Sequence, residues 1–323
     1  MIDTPQWMGE LLARLKETFG DRLLYLGLQG SYRRGEATEE SDIDVVALMD
    51  HVSLDDLDAY GDVVHSMPDG ELACGFISGR DELLHWPRHE LFPLARDTED
   101  HHGRLADFLP PLMREDAVDA ARIAVATLYH LLTHSYLYAA AGDRRGILAG
   151  AYKSAFFALQ MVHSLESGEY CASKRELLGR VNEPERKILT ASLDFRVWLA
   201  SHSERAAFEL LRSWCVRVLG TIRHDGETLT VTIEGKTVFS EADFHRQLAT
   251  RLDIPEFYGH NLNALWDTLS ANVERPFIIV WNDSSLSRER LGATFDKILR
   301  VFDDTVEHDA RLTSPDKFSY ILK

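Results

Sequence analysis

The sequence predicts three successive folded regions: an α/β region, an all-α region and a second, smaller α/β region. This prediction rests on two changes of pattern along the 323 residues. Strand-like runs alternate with helical spacing up to residue 113, helical spacing continues alone to 224, and strands return from 225 to 323. At about 100–200 residues per domain, the chain accommodates two or three domains. We therefore place the domains at 1–113, 114–224 and 225–323.

The first region alternates helical and strand-like patterns. Residues 5–19 place apolar side chains at helical spacing, and 22–29 form an apolar run that indicates a buried strand ending at Gly30. Two further runs, 41–49 and 71–78, indicate additional strands. Strands mixed with helices within one region are typical of an α/β or α+β domain.

The middle region shows long helical patterns and no convincing strand, which predicts a bundle of roughly four or five helices. A polar, turn-rich junction at 224–229 separates it from the last region. There, strands at 229–235, 276–281 and 318–322 alternate with helical segments. The resulting order, β-α-α-β-α-β, predicts a small α/β domain with a mostly parallel sheet.

The composition indicates which class of binding partner and which cellular compartment to expect. The formal net charge is -17, and such a surface repels phosphate backbones, so we expect cationic partners and no direct binding of nucleic acid. The alternative is that the charge serves solubility alone. The sequence contains no apolar run of about 18 residues, so it predicts no membrane span. The acidic N-terminus does not resemble a signal peptide, and we therefore expect a cytoplasmic protein. The three cysteines suggest neither a disulfide framework nor a zinc site.

The first candidate site follows the strand that ends at Gly30–Ser31. Asp42 and Asp44 stand two apart at the next strand, so their carboxylates share one face and form a hard oxygen site suited to Mg²⁺. Two metal ions on such carboxylates can clamp the attacking and leaving oxygens of a phosphoryl displacement. Gly30 lets the backbone approach a phosphate closely, and the Ser31 hydroxyl can hold triphosphate oxygens.

Three further side chains belong to this pattern. Arg33 and Arg34 add positive charge toward the phosphates, and Ser41 stands before the acid pair. The alternative is a solvated surface turn, but the preceding strand and the apolar run after the aspartates argue against it.

This pattern resembles the polymerase-beta-like nucleotidyltransferases, whose signature is Gly-Ser followed at a distance by Asp-x-Asp. Within that superfamily it is most similar to the aminoglycoside adenylyltransferases and the minimal nucleotidyltransferases. The resemblance implies a mixed sheet with helices, and transfer of a nucleoside monophosphate, usually AMP from ATP, to a hydroxyl or amino group. It also implies that the helical bundle forms the far wall of the acceptor cleft.

The same resemblance implies a third carboxylate on a later strand, acting as metal ligand or general base. Glu71, at the start of the run 71–78, is the acid at that place, although Cys74 could occupy the position instead. The alternative for Glu71 is a solvated acid at a strand end. Without a third acid, catalysis would be weak or absent.

The second candidate site lies in residues 256–269, EFYGHNLNALWDTL. On a helix, the leucines fall on one face and enter the core, whereas Asn263, Trp266 and Asp267 fall on another. A tryptophan beside polar groups on an exposed face is typical of a protein-binding anchor. The alternative is a tryptophan packed into its own domain's core.

The stretch 231–323 resembles barstar, the cytosolic inhibitor of a secreted bacterial ribonuclease. The resemblance implies that the helix after the Tyr-Gly turn inserts into the ribonuclease active site, where its acids take the place of substrate phosphates. The positions that match the family's binding residues are Phe257, Tyr258, Asn261, Asn263, Trp266, Asp267 and Asp304. Asn263 stands where the family has an acid, and Phe257 lacks a hydroxyl. We therefore expect a basic, ribonuclease-like toxin as partner, bound less tightly than is usual for the family.

Together these patterns favour a Mg²⁺-dependent nucleotidyltransferase that uses ATP and carries a protein-binding tail. One alternative is a non-enzymatic antitoxin or immunity protein with a degenerate transferase domain. Another is a small-molecule modifier such as an antibiotic adenylyltransferase, which the tail disfavours because drug modification needs no protein-binding module.

Overall fold

The structure is a computed structural model that describes residues 2–39, 41–252, 258–314 and 316–323. It divides into two compact units, Met1–Arg212 and Ser213–Lys323. The predicted fold class is confirmed: a mixed sheet with helices, a helical region and a small parallel sheet with helices. The three predicted domain limits stay a prediction.

The first unit begins with a mixed four-stranded sheet and its helices. In chain order these are α1 (Thr4–Phe19), β1 (Leu23–Leu28), α2 (Gly30–Arg33), β2 (Ile43–Met49), α3 (Leu54–His65), β3 (Ala73–Gly79), α4 (Arg80–Leu84), α5 (Arg88–Arg96) and β4 (Glu99–His102). The strand order is β3-β2-β1-β4, with β2 and β3 parallel and the other two pairs antiparallel.

Each face of this sheet has its own core. On one face, α1 and α3 pack against Leu26, Ile43 and Val45, and the buried residues of α1 recur at helical spacing as predicted. On the other face, Val46 and Leu48 pack against side chains of α4 and α5. Because successive strand residues alternate faces, Asp44 lies on the same face as Val46. The candidate acid pair therefore opens toward α4, α5 and the helices that follow.

The helical region follows without further strands among its described residues. Its helices are α6 (Arg114–Tyr138), α7 (Arg144–Ser167), α8 (Lys174–Leu178), α9 (Glu185–Leu193), α10 (Phe195–Leu199) and α11 (Glu204–Thr221), which continues past the end of the first unit. The longest, α6 and α7, pack against each other, and buried alanines such as Ala121, Ala151 and Ala155 allow a close approach.

The second unit contains a three-stranded sheet with the order β5-β6-β7, in which both strand pairs are parallel. Its elements are β5 (Leu229–Glu234), α12 (Glu241–Leu252), α13 (Leu262–Asp267), β6 (Phe277–Asn282), α14 (Ser284–Leu291), α15 (Ala293–Ala310) and β7 (Phe318–Leu322). A π-helical turn, Thr268–Asn272, extends α13. Gly292, which has a positive φ of 54°, ends α14 and precedes α15.

None of the helices in the described part of the chain is both long and apolar enough to cross a membrane.

Candidate functional site

A cavity of about 970 Å³ lies in the first unit, beside the start of β2. The predicted residues that line it are Gly30, Ser31, Arg34, Ser41, Asp42 and Asp44. Two other predicted residues, Arg33 and Glu71, are not part of its lining. The structure thus brings together most of the first candidate site around one concave space, which is the usual form of a small-molecule site.

The turn after β1 has the backbone that the prediction required. Gly30 has a φ of +71°, in the left-handed region that favours glycine, and it begins the short helix α2. A Cβ at this position would overlap the carboxylate of Asp44. The backbone N–H of Gln29 donates to the carbonyl oxygen of Asp44 at 2.8 Å. Glycine therefore allows the turn to lie directly against the acid of β2.

The two carboxylates of the acid pair influence each other electrostatically. Asp42 is exposed and lies just before β2, and Asp44 is half-buried at its second residue. Burial raises the pKa of Asp44; the charge of Asp42 raises it further, and the charges of Arg34 and Lys153 oppose this rise. A cation between the two carboxylates would offset both the burial and the repulsion. Their hard oxygen donors fit Mg²⁺.

The described residues contain no group of three or more His, Cys, Asp and Glu side chains placed to hold a metal ion. Two carboxylates are nevertheless sufficient for Mg²⁺ when substrate phosphates and waters complete its six ligands, as is common at nucleotide sites. Asp42 and Asp44 thus fit a metal that arrives with a triphosphate better than a permanently bound structural ion.

The predicted phosphate-binding arginines are paired with an acid. One carboxylate, that of Asp97, accepts from Arg33 Nη1 at 3.2 Å and from Arg34 Nη1 at 2.6 Å. Only Arg34 lines the cavity. Its guanidinium lies 5.7 Å from the ring centroid of Phe156 and 5.5 Å from that of Phe157, both on α7. Arg34 therefore connects the sheet region to the helical region within the first unit.

The predicted third carboxylate, Glu71, is not part of the cavity lining. Glu71 is exposed in a 3₁₀ turn, Gly70–Leu72, that precedes β3. In the parallel pairing of β2 with β3, Cys74 lies opposite Asp44, and paired residues face the same side of a sheet. A thiol thus occupies the strand position next to the pair, and the position of Glu71 gives no support for its predicted role.

Sequence patterns alone missed the cationic wall of the cavity. Lys153 of α7 and Lys174 and Arg175 of α8 line it from the helical region. Burial lowers the pKa of Lys174, whose Nζ donates to the carbonyl oxygen of Ser192 at 2.8 Å. Lys153 and Arg175 are exposed. Helical spacing placed these residues on helices but carried no signal that they face the acid pair.

Sequence patterns also missed a second wall of the cavity, which aromatic and acidic side chains form. Phe76 of β3 and Trp86 pack edge to face, with ring centroids 5.0 Å apart. The indole Nε1–H of Trp86 donates to Glu90 Oε2 at 2.6 Å. All three line the cavity. In this segment the run 71–78 predicted a strand and no pocket wall.

The second unit exposes most of the predicted protein-binding residues. Asn261 caps α13, because its Oδ1 accepts from the backbone N–H of Ala264 at 3.0 Å. Asn263 and Asp267 are exposed on α13, and Asp304 is exposed on α15.

Trp266 links these two helices. It is half-buried, and its ring meets His308 of α15 edge to face at 5.8 Å. Asp304 precedes His308 by one helical turn and therefore lies on the same side of α15. We call the surface formed by Asn263, Trp266, Asp267 and Asp304 the acidic face.

Tyr258 differs from its prediction, because it is only 6% exposed and lies in the interior. Its hydroxyl lies 2.7 Å from Nδ1 of His245, a histidine with no exposed surface. Burial raises the pKa of the Tyr258 hydroxyl. Tyr258 thus supports the segment before α13 from within. The other predicted aromatic residue, Phe257, lies outside the described residues.

Comparison with known proteins identifies both parts of the chain. Residues 8–92 match the family model described as a nucleotidyltransferase domain, and residues 228–320 match that of barstar, the barnase inhibitor. A Bacillus subtilis (strain 168) protein described as "Putative ribonuclease inhibitor YrdF" is 34% identical over 77 residues, which are 24% of this chain and 85% of that protein.

A solved structure provides a weaker likeness. The spectinomycin adenyltransferase AAD(9) from Enterococcus faecialis, crystallised with ATP and spectinomycin, aligns with 11% identity and a TM-score of 0.42. The alignment covers 66% of this chain and 99% of that one. At this TM-score the likeness does not by itself establish a shared fold.

Both resemblances inferred from the sequence are confirmed at the level of the family. The nucleotidyltransferase match contains Gly30, Ser31, Asp42 and Asp44, and the barstar match contains the acidic face. The chain belongs to the barstar family through its C-terminal region and carries a nucleotidyltransferase domain ahead of it.

Proposed function

We propose that the first unit transfers AMP from ATP to a hydroxyl or amino acceptor in a Mg²⁺-dependent reaction. The observation that supports this most directly is the half-buried Asp44, packed against Gly30 in a cavity that also contains Asp42 and three basic side chains of the helical region. Opposite charges across one cavity suit a metal-bound triphosphate better than an uncharged ligand.

In this proposal Asp42 and Asp44 hold Mg²⁺. When bound, Mg²⁺ neutralises phosphate charge and orients the phosphoryl oxygens. The glycine at position 30 lets the backbone lie close to a phosphate, and the Ser31 hydroxyl donates to a phosphate oxygen.

The cationic wall of the cavity is placed to bind the leaving group. As the acceptor oxygen or nitrogen bonds to the α-phosphorus, the bond from that phosphorus to the bridging oxygen breaks and pyrophosphate leaves. Lys153 and Arg175 are exposed cations that line the cavity, so they are placed to stabilise the charge that accumulates on pyrophosphate. Transfer would then depend on both the sheet region and the helical region of the first unit.

We propose Glu90 as the acid that faces the acceptor. Its Oε2 is held by the Trp86 indole at 2.6 Å, whereas its Oε1 lies 3.9 Å from His89 Nε2, too far for a hydrogen bond, so Oε1 can accept a proton from the acceptor group. Glu90 lines the cavity and Glu71 does not. Trp86 and Phe76 provide an apolar surface for the body of the acceptor.

Incubation of the full chain with ATP labelled on the α-phosphate tests the proposal. We expect Mg²⁺-dependent transfer of label to a protein or a small molecule, with release of pyrophosphate. The double variant Asp42→Asn, Asp44→Asn should show no Mg²⁺-dependent binding of ATP and should transfer no label. Unchanged transfer by this variant would rule out the assigned site.

We also propose that the acidic face of the second unit binds a basic, ribonuclease-like toxin. Trp266 offers apolar area between two helices, and the exposed acids Asp267 and Asp304 provide negative charge beside it. The negative charge of such a face is opposite in sign to that of a cationic phosphate-binding site.

One observation favours an alternative, in which the transferase domain is inactive and the chain acts only as an antitoxin or immunity protein. Cys74, rather than an acid, lies opposite Asp44 in the sheet. Under this alternative the labelled-ATP experiment yields no transfer, whereas binding of the toxin through the acidic face persists.

A further inference from the structure

A buried ion-pair triad forms part of the cavity wall. Asp97 follows α5 directly and is 9% exposed. Its Oδ1 accepts from Arg33 Nη1 at 3.2 Å and its Oδ2 from Arg34 Nη1 at 2.6 Å. Both Asp97 and Arg34 line the cavity of the acid pair. Two members of the triad, Arg34 and Asp97, therefore belong to the same concave space, and Asp97 lies outside the Gly-Ser and Asp-x-Asp pattern.

The guanidinium of Arg34 is fixed on several sides. Its side chain is 8% exposed. The rings of Phe156 and Phe157 lie 5.7 and 5.5 Å from it, and its buried Nε lies 3.5 Å from Glu36 Oε2, too far for a good hydrogen bond. Because the guanidinium is a rigid planar fork, fixing Nη1 on Asp97 also fixes its remaining edge, Nη2. That edge is the part of Arg34 that can donate to a ligand.

Stability alone does not account for an acid at position 97. Burial raises the pKa of Asp97; the charges of Arg34 and Arg33 oppose this rise, and the nearby Asp44 adds to it. A buried ion pair is often no more stable than apolar side chains of the same volume. What a carboxylate provides, and an apolar group does not, is a fixed orientation of the two arginines.

We infer that Asp97 is a positioning residue that holds Arg34 for the polyphosphate chain of a nucleoside triphosphate. This inference rests on the proposed function, because it assigns the triad to the phosphate end of the same cavity. Asp97 acts through Arg34 and does not touch the nucleotide itself.

Titration calorimetry on the full chain, with Mg²⁺ and with ATP, AMP or inorganic tripolyphosphate as ligand, tests this role. Asp97→Asn should lower the affinity for ATP and for tripolyphosphate by about tenfold or more, which is the usual effect of losing a charge-assisted contact. It should lower the affinity for AMP much less. Asp97→Glu, which keeps the charge, should restore part of the loss. The matched control is Asp100→Asn, since Asp100 also accepts two hydrogen bonds, from Tyr25 and Leu105, but does not line the cavity.

Equal losses for ATP and AMP, or losses no larger than those of Asp100→Asn, would overturn the inference. If Asp97→Asn does not fold, Arg34→Lys provides the same comparison, because it keeps the charge but removes the planar fork. A wild-type chain that binds neither ATP nor AMP would overturn the proposed function. The inference would then be tested with tripolyphosphate alone. A larger loss of tripolyphosphate binding in Asp97→Asn than in Asp100→Asn would support it. If the wild-type chain does not bind tripolyphosphate either, the inference would be overturned as well.

Discussion

At the scale of single residues, Gly30 and Gly35 distinguish the cost of backbone strain from the cost of a steric clash. Gly30 and Gly35 have φ values of +71° and +65°, so alanine at either position costs about 1 kcal/mol in backbone energy. Only at Gly30 would the new Cβ overlap the carboxylate of Asp44, whereas the space at Gly35 is open. We expect Gly30→Ala to lower the free energy of unfolding more than Gly35→Ala and to abolish Mg²⁺-dependent ATP binding.

Urea unfolding and calorimetric titration of the two variants would measure these effects. Equal effects at the two positions would show that the contact between Gly30 and Asp44 is unimportant.

A second residue-scale prediction distinguishes the two candidate acids. Glu90→Gln should lower turnover by about 10²–10⁴-fold, because a general base acts on the chemical step, with little change in ATP affinity. Glu71→Gln should change neither, since Glu71 is exposed outside the cavity lining. Steady-state kinetics of the two variants compare the same chemical change at two positions. The reverse result would return the catalytic role to Glu71.

At the scale of elements, α12 is linked to the segment before α13 by a buried titratable pair. His245 of α12 has no exposed surface and hydrogen-bonds to Tyr258; Glu241 and His260 are the charged or titratable neighbours that influence it. Burial lowers the pKa of His245 and the charge of His260 adds to this, whereas Glu241 opposes the shift. The unfolded chain, with a histidine pKa of about 6.5, therefore binds more protons than the folded chain just below that pH.

It follows that His245 contributes its full stability above about pH 6.5 and loses it as the pH falls toward its folded pKa. We expect the free energy of unfolding of the second unit to decrease with acidification in this range. Because glutamine does not titrate, His245→Gln should flatten that part of the pH profile, as measured by urea unfolding at several pH values. A wild-type profile without this slope would contradict the assignment.

How much of each element the sequence predicts depends on whether its signal is local. The apolar runs of β1 and β2 and the spacing of α1 are local, and the structure has all three. The strand β4, Glu99–His102, was missed because its four polar residues show no apolar alternation. It forms through pairing with β1, which supplies the partner hydrogen bonds. The pairing context, and no pattern within the segment, determines this strand.

The candidate site follows the same division. Gly30, Asp42 and Asp44 are close in sequence, so their grouping was predictable. The residues that complete the cavity, such as Lys153 and Glu90, come from separate helices, and only the packing of those helices brings them together. Tyr258 was placed on the binding surface because it matches a binding position of the barstar family, but it hydrogen-bonds to His245 of α12 and lies in the interior.

At the scale of the whole molecule, the second unit has a hydrophobic core that the chain from 229 onward supplies. Its members extend from Val231 to Phe318 and include side chains from β5, β6 and β7. We expect residues 225–323 to fold alone, with a cooperative urea transition, because this core needs no residue from the rest of the chain. A non-cooperative transition would show that the fragment depends on the preceding helix.

The acidic face supplies the corresponding binding prediction. Asn263→Asp adds a charge beside Asp267, so association with a barnase-like ribonuclease should become faster, and the gain should shrink as salt screens the charge. Asp267→Ala should weaken binding, whereas Glu289→Ala, an exposed acid on α14, should have little effect. Stopped-flow and equilibrium titrations measure both quantities. Equal responses at positions 267 and 289 would remove the acidic face as the binding surface.

The contrast between two tryptophans gives this fragment two independent optical reporters. Trp281 is fully buried and its indole Nε1–H donates to Ser287 Oγ at 3.0 Å, so its emission should be blue-shifted and should change only when the fold is lost. Trp266 is half-buried beside His308, so its emission should respond to a docked protein that displaces water from the ring. Replacing Trp281 by phenylalanine would leave Trp266 as the single tryptophan among residues 225–323. Fluorescence of that variant would then follow docking without interference from the folding signal.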